Sequence, residues 1–400
     1  MQTEPIQPRS LSHFEISGEH GFLPIPDPLP SCSCCPELEW LGHQLPNLLA
    51  ARQLRNTINT MQDLIPSKKD DWTVDTYRYA NRILSFAAHG YIWENPDHPL
   101  DRLPANLAVP WCEVSRKLGR PPVLSYASYA LDNWRRLDPS RPIELDNVVL
   151  LQNFLGGLDE EWFVAVHIDI ERKAGAAMAA ILCAQEAVVE NNADAVIIHL
   201  TALASAQEGM CSTLDRMPER CDPYIYYHRV RPFIHGWKNN PALPNGIVYA
   251  GVEEYQEAPQ YFRGETGAQS SIIPALDAAL GITHAEDPLT VYLAEMRHYM
   301  PPAHRAFLEA LERQQDHQGR PKLAGFIHDH QSRHPGLWSA YCQCVQLLAR
   351  FRATHLDYAA AYIHQQSEKQ SSNPTSVGTG GTPSMTYLKK HLEETKPIIQ

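Results

Sequence analysis

Apolar positions along the second half of the chain recur every three to four residues, the spacing that lines one face of an α-helix. This pattern, in stretches rich in Ala, Leu, Glu and Gln, predicts helices over 162–190 and 193–208, separated by Asn191-Asn192. It also predicts helices over 270–281, over 302–315 with proline in its first turn, and over 337–366. A short closing helix is predicted over 385–394. The first 150 residues read differently: prolines crowd 24–36 and recur through Pro142, which predicts short helices joined by loops. No alternation of β-strand type and no internal repeat is evident. The pattern therefore describes a mainly α protein, with a small N-terminal domain over 1–155 and a large helical domain over 156–400.

Composition narrows the function. Of the 400 residues, 44% are hydrophobic and 20% charged, as in an ordinary globular protein. Lys and Arg total 34 against 46 Asp and Glu, a net charge of -12, which argues against nucleic acid or an anionic membrane as partner. No apolar run approaches the ~20 residues of a membrane span, and the N-terminus lacks the pattern of a secretory signal, so a cytoplasmic protein is expected. Nine cysteines, an odd and sparse set, suggest reduced thiols. Cys32, Cys34 and Cys35 are grouped tightly enough to suggest a metal site, but no second pair follows at zinc spacing, and loop cysteines are the favoured reading.

Chemistry concentrates in a few segments. Leu348, Arg352, His355, Ala359 and Tyr362 share one helical face, which sets a histidine in an apolar stripe with an arginine one turn before it. A core histidine is the common meaning of such a pattern; a haem-iron ligand with Arg352 toward a propionate is the functional one. His167, followed at helical spacing by Glu171, is either a structural histidine or a hydrogen-bonding group in a pocket. In DPYIYYHRVRPFIHGW, aromatic residues are interleaved with Arg229 and Arg231; an aromatic core stripe with exposed arginines is the commoner meaning of such a segment, and a site for a planar substrate that carries a carboxylate is the functional one. The Ser-, Gly- and Thr-rich stretch over 366–384, with Gly378-Thr379-Gly380-Gly381-Thr382, predicts a mobile linker or a lid, not a phosphate loop.

Read together, HQLPNLL, LPANLAVPWC, PPVLSYASYALDNW, GWKNNPALPNGIVYAGV, AQSSIIPALDAALGI, MRHYMPPAHRAFL, RFRATHL and GTGGT resemble, in order and along most of the chain, the indoleamine 2,3-dioxygenase family. Composition and spacing alone do not reach this family. The resemblance implies a large helical domain holding haem b, iron protoporphyrin IX, under a smaller N-terminal domain. It implies that His355 is the proximal iron ligand, that Arg352 lies beside the propionates and pairs with Asp277, and that Arg231 binds the substrate carboxylate. Thr379 matches the loop threonine that closes over the substrate, Tyr126 and Phe163 match the pocket around the indole, and Gly267 matches a small residue over the haem.

The activity implied is insertion of O2 across the indole C2=C3 bond of L-tryptophan to give N-formylkynurenine, by a cytoplasmic monomer that needs a reductant for its iron. Three positions depart from the vertebrate pattern. Tyr226 and Tyr227 stand where two phenylalanines are usual, His167 stands where serine is usual, and Gly267-Ala268-Gln269 replaces Ala-Gly-Gln. These departures, in a sequence that resembles the microbial members, leave open a related enzyme acting on a substituted tryptophan or another indole, and an O2-binding haem protein without catalysis. His167 would accept a hydrogen bond from the indole N–H.

Overall fold

The computed structural model describes residues 8–62, 64–66, 69–284, 288–367, 379 and 384–395. The molecule is mainly helical. Its N-terminal part contains α1 (Pro36–Ala50), α2 (Leu54–Thr60), α3 (Val74–Trp93) and α4 (Ala105–Lys117). These helices are longer than the prolines suggest. α1 continues through Pro46 because the carbonyl that proline leaves unpaired, that of Gly42, accepts from Gln152 Nε2 at 3.0 Å. α3 runs 20 residues with almost every side chain buried, polar ones included: Arg82 donates to the carbonyls of Asp132 and Leu29 at 2.8 and 2.9 Å.

The second part is built on α5 (Leu158–Val189) and α6 (Ala193–Leu214), packed against each other as the apolar periodicity predicts. Between them Asn191 takes a left-handed turn and the Asn192 side chain caps α6 by accepting from Ala195 N at 3.0 Å. There follow α7 (Ile272–Leu280), α8 (Pro288–Met296), α9 (Pro302–Glu312), α10 (Lys322–His330), α11 (Pro335–Ala359) and α12 (Ser384–Thr395). α11 packs on α6, and α12 packs on α11. The predicted single helix over 337–366 instead relaxes into a π turn at Ala360–His364. The loop expected over 366–384, which was to carry the lid, lies mostly outside the described residues.

Among the described residues there are four strands of two or three residues, too short for alternation to be read from sequence. β1 (Arg102–Leu103) pairs in parallel with β4 (Val248–Tyr249), and β2 (Trp134–Arg136) pairs antiparallel with β3 (Val148–Leu150). A continuous apolar core runs from Leu11 to Tyr362 across both parts. The chain thus crosses the expected boundary at 155 without leaving the core. Cys32 and Cys34 are joined by a disulfide, against the expectation of reduced thiols; the two-residue separation leaves their Cα atoms 5.3 Å apart, within reach of the bond. No helix of the described residues is long and apolar enough to cross a membrane.

Candidate active site

A cavity of about 580 Å³ opens between α5, α7 and α11, within the range of small-molecule and cofactor sites. Three π turns border it: Ala127–Leu131 follows Tyr126, Tyr226–Val230 begins with Tyr226, and Ala360–His364 contains Tyr362. Such wide turns shift side-chain direction within a helix and are common at functional sites. Here each sets a tyrosine on the cavity wall.

His355, on α11, is ringed by protein atoms, yet the residue is exposed to the open cavity. Neither ring nitrogen has a hydrogen-bond partner among the described residues, so it is not the satisfied core histidine of the commoner reading. Burial, with His167 nearby, lowers it to about 4, so the ring is neutral at physiological pH and its lone pair is available. One turn earlier, a single guanidinium nitrogen of Arg352 reaches both Asp277 oxygens at 2.8 and 2.7 Å. The other terminal nitrogen donates to Thr395 Oγ1, while Arg352 Nε is buried without a partner. His284 continues the cluster, with Nε2 3.2 Å from Asp277 Oδ2 and Nδ1 2.5 Å from Glu394 Oε2. Burial would lower its pKa, but the bonds to the two carboxylates carry it above the ordinary histidine range.

The opposite end is aromatic. Phe163 stacks near His167 and Tyr226, with centroids 4.7 and 4.6 Å away, and Tyr126 meets the His167 ring edge-on at 5.9 Å. His167 Nδ1 lies 2.7 Å from the Phe163 carbonyl, which can only accept, so Nδ1 carries the proton and Nε2 is left as an acceptor. Burial holds its pKa down. One turn further along α5, Glu171 accepts from Ser270 Oγ at 2.6 Å, and burial pushes its carboxyl up to about 7.

The segment 264–271 closes the wall. Gly264 approaches Gly236 so closely that a Cβ on either would lie 2.1 Å from the other's nitrogen. Gln269 binds the two sides together, accepting from Tyr126 N at 2.8 Å and donating to the Gly264 carbonyl at 2.9 Å. Gly267 points toward open space, with nothing within 4 Å of a Cβ placed there. Thr379 reaches this segment by donating from Oγ1 to the Glu265 carbonyl.

Of the residues singled out in the sequence, His355, Arg352, Asp277, His167, Phe163, Tyr126, Tyr226, Gly267 and Thr379 all line the one cavity. Tyr227 and Arg231 stand behind the lining: Arg231 is 0% exposed, and its guanidinium lies over the Tyr227 ring, 5.3 Å from its centre. Glu265 lines the cavity too and escaped the sequence reading, as no local pattern marks it; Glu171 was visible only as a neighbour of His167.

An iron porphyrin fits these residues. The wall near α7 and α11 is apolar (Ile272, Ile273, Pro274, Phe351 and Ile363), His355 offers a free nitrogen, and Arg352 Nε is an orphaned donor suited to a carboxylate. Gly267 leaves the wall flat. The comparisons agree with this geometry. The family model described as indoleamine 2,3-dioxygenase matches residues 10–398. The chain is 34% identical to human indoleamine 2,3-dioxygenase 2, covering 98% of this chain and 96% of that protein. It is 31% identical to the indoleamine 2,3-dioxygenase of Saccharomyces cerevisiae, covering 96% and 92%. It is 32% identical to indoleamine 2,3-dioxygenase acdA of Aspergillus candidus, covering 95% of each. A match that runs nearly end to end, over a cavity whose free histidine and buried arginine suit haem, places this chain in the indoleamine 2,3-dioxygenase family.

Proposed function

We propose that the chain is a haem-dependent dioxygenase that adds both atoms of O2 across the indole C2=C3 bond of L-tryptophan, yielding N-formylkynurenine. The observation that carries this reading is His355, a neutral histidine with no hydrogen-bond partner among the described residues, opening onto an apolar cavity that ends in an aromatic pocket. His355 would hold the iron, Arg352 would meet a propionate while Asp277 fixes the guanidinium, and Gly267 would leave room beside the ring. Bound haem would supply the activation of O2.

The protein's own part is placement. Phe163, Tyr126 and Tyr226 form a slot for a flat bicyclic ring, and His167 Nε2 is the acceptor for the indole N–H. Arg231, drawn forward from behind the Tyr227 ring, would take the substrate carboxylate. Thr379 bonds to the Glu265 carbonyl on the wall and would help to keep water out. The reading includes a cytoplasmic monomer served by a separate reductant. A second reading, a ring-substituted tryptophan as substrate, is favoured by one feature: Tyr226 brings a hydroxyl without a partner among the described residues into this slot.

Haem-loaded, reduced protein in air with L-tryptophan should form a product carrying two oxygen atoms from O2, seen by mass with labelled gas. Turnover of a hydroxylated tryptophan but not of L-tryptophan would select the second reading. A stable oxygenated spectrum with neither product would overturn both.

A further inference from the structure

The carboxyl of Glu265 has no work in the scheme above, and its surroundings are hard to explain as packing. The residue is 4% exposed and lines the cavity. Its backbone is clamped on both sides: the N–H donates to the Ile234 carbonyl at 3.1 Å, and the carbonyl accepts from Thr379 Oγ1. The neighbouring Gly264 is held against Gly236 and bound by Gln269. The side chain therefore leaves a fixed platform, and among the described residues its carboxyl meets no hydrogen-bond donor and no cation. A buried, unpaired carboxyl is costly, and the protein places it where a ligand would bind.

The other buried carboxyl of the cavity, Glu171, already accepts from Ser270, so the two do not form a ready metal site. What Glu265 lacks is a small cation with several N–H donors. Behind the lining on that side runs the turn Arg231–Ile234, joined to Glu265 through the Ile234 carbonyl, and its arginine is the candidate for a carboxylate, so both charges of a zwitterion have a counterpart on adjoining segments. Resting on the reading of this cavity as an indole site, we propose that Glu265 is the acceptor for the substrate's ammonium group and selects α-amino acids over indoles that lack one.

The ionisable groups around it are Tyr126, Tyr129 and Tyr226, which feel its charge; His167 and Glu171, which line the same cavity; and Arg231 and His235, which flank the Ile234 it bonds. Burial pushes the Glu265 carboxyl up to about 8, so in the empty cavity at pH 7 it is mostly protonated. A bound ammonium favours the carboxylate and expels that proton. Affinity for an ammonium ligand therefore rises as pH climbs toward 8, and binding at pH 7 releases a proton.

The test compares wild type and Glu265→Gln, both haem-loaded and ferric, with three probes followed by the haem absorbance: L-tryptophan, tryptamine and indole-3-propionate. The substitution keeps the volume and removes a buried charge, so its melting temperature at pH 8 should equal or exceed that of wild type. Glu265→Gln should weaken L-tryptophan and tryptamine about tenfold or more and leave indole-3-propionate within about twofold. Calorimetry in two buffers of different ionisation heat should show a proton released from wild type on binding L-tryptophan and none from the variant. Equal losses for all three probes, or unchanged tryptamine binding, would overturn the assignment while leaving the indole site standing. A wild type that binds none of the three would overturn the indole reading, and this inference with it.

Discussion

His167 and Glu171 stand one turn apart on α5 and illustrate how burial assigns roles to titratable groups. With Nδ1 committed to the Phe163 carbonyl and its pKa held down by burial, His167 stays neutral through physiological pH and offers one lone pair. His167→Ala should therefore weaken L-tryptophan by about 1 kcal/mol, near fivefold to tenfold, and leave 1-methyltryptophan, which has no indole N–H, unchanged. Equal effects on both ligands would show that the histidine only fills space. Because the acceptor exists only in the neutral form, the share of affinity that His167 supplies should hold at neutral pH and fall in acid as the ring protonates. His355 and His167 were both legible from helical spacing, and their environment was not. The same spacing describes a histidine wedged in a core and one facing a cavity, and only the packing of α5, α7 and α11 distinguishes them. Glu265 was not legible at all, because its isolation depends on the Gly264 and Gly236 backbones meeting, and nothing in the local sequence announces that contact.

The elements differ in how openly they declare themselves. α5 and α6 are long and rich in Ala, Leu and Ile, and a left-handed asparagine divides them, so periodicity and a turn signal agree. α3 hides because it is buried on most sides and carries Asn81, Arg82 and His89 inside, each bonded to a distant segment: His89, for example, pairs with the Phe233 carbonyl and with Leu124 N, at 2.8 and 2.9 Å. Prolines misled for a similar reason, since the partner that replaces the lost bond at Pro46 is Gln152, far away in sequence. The two glycines of the site wall make opposite demands. Gly236→Ala would push a methyl group to 2.1 Å from the Gly264 nitrogen, where only backbone can yield. It should cost about 3 kcal/mol or more and lower the melting temperature by several degrees. Gly267→Ala meets nothing within 4 Å, so it should leave the melting temperature unchanged within about 1 °C while intruding on the cavity. Thermal melts of the two variants side by side check both statements, and a tolerated Gly236→Ala would show that the two segments can part.

For the molecule as a whole, we propose a division near residue 155 that is one of chain texture and not of stability. The two parts share one core, and their seams are built of buried bonds: β1 with β4, and Trp93 Nε1 with the His235 carbonyl at 3.0 Å. A calorimetric scan should accordingly show one cooperative transition, and two resolved ones would refute the shared core as the source of stability. At the far end of the cavity the cluster around Arg352 has its own consequence. It is assembled from residues 277, 284, 352, 394 and 395, the last two contributed by the final turn of α12. During synthesis every other wall of the cavity is complete before this corner exists. A chain in which α12 is kept from docking presents the cavity with Arg352 lacking its Thr395 partner. Capture of the proposed haem would then wait on the docking of α12, and the freedom of its last turn would decide when it happens.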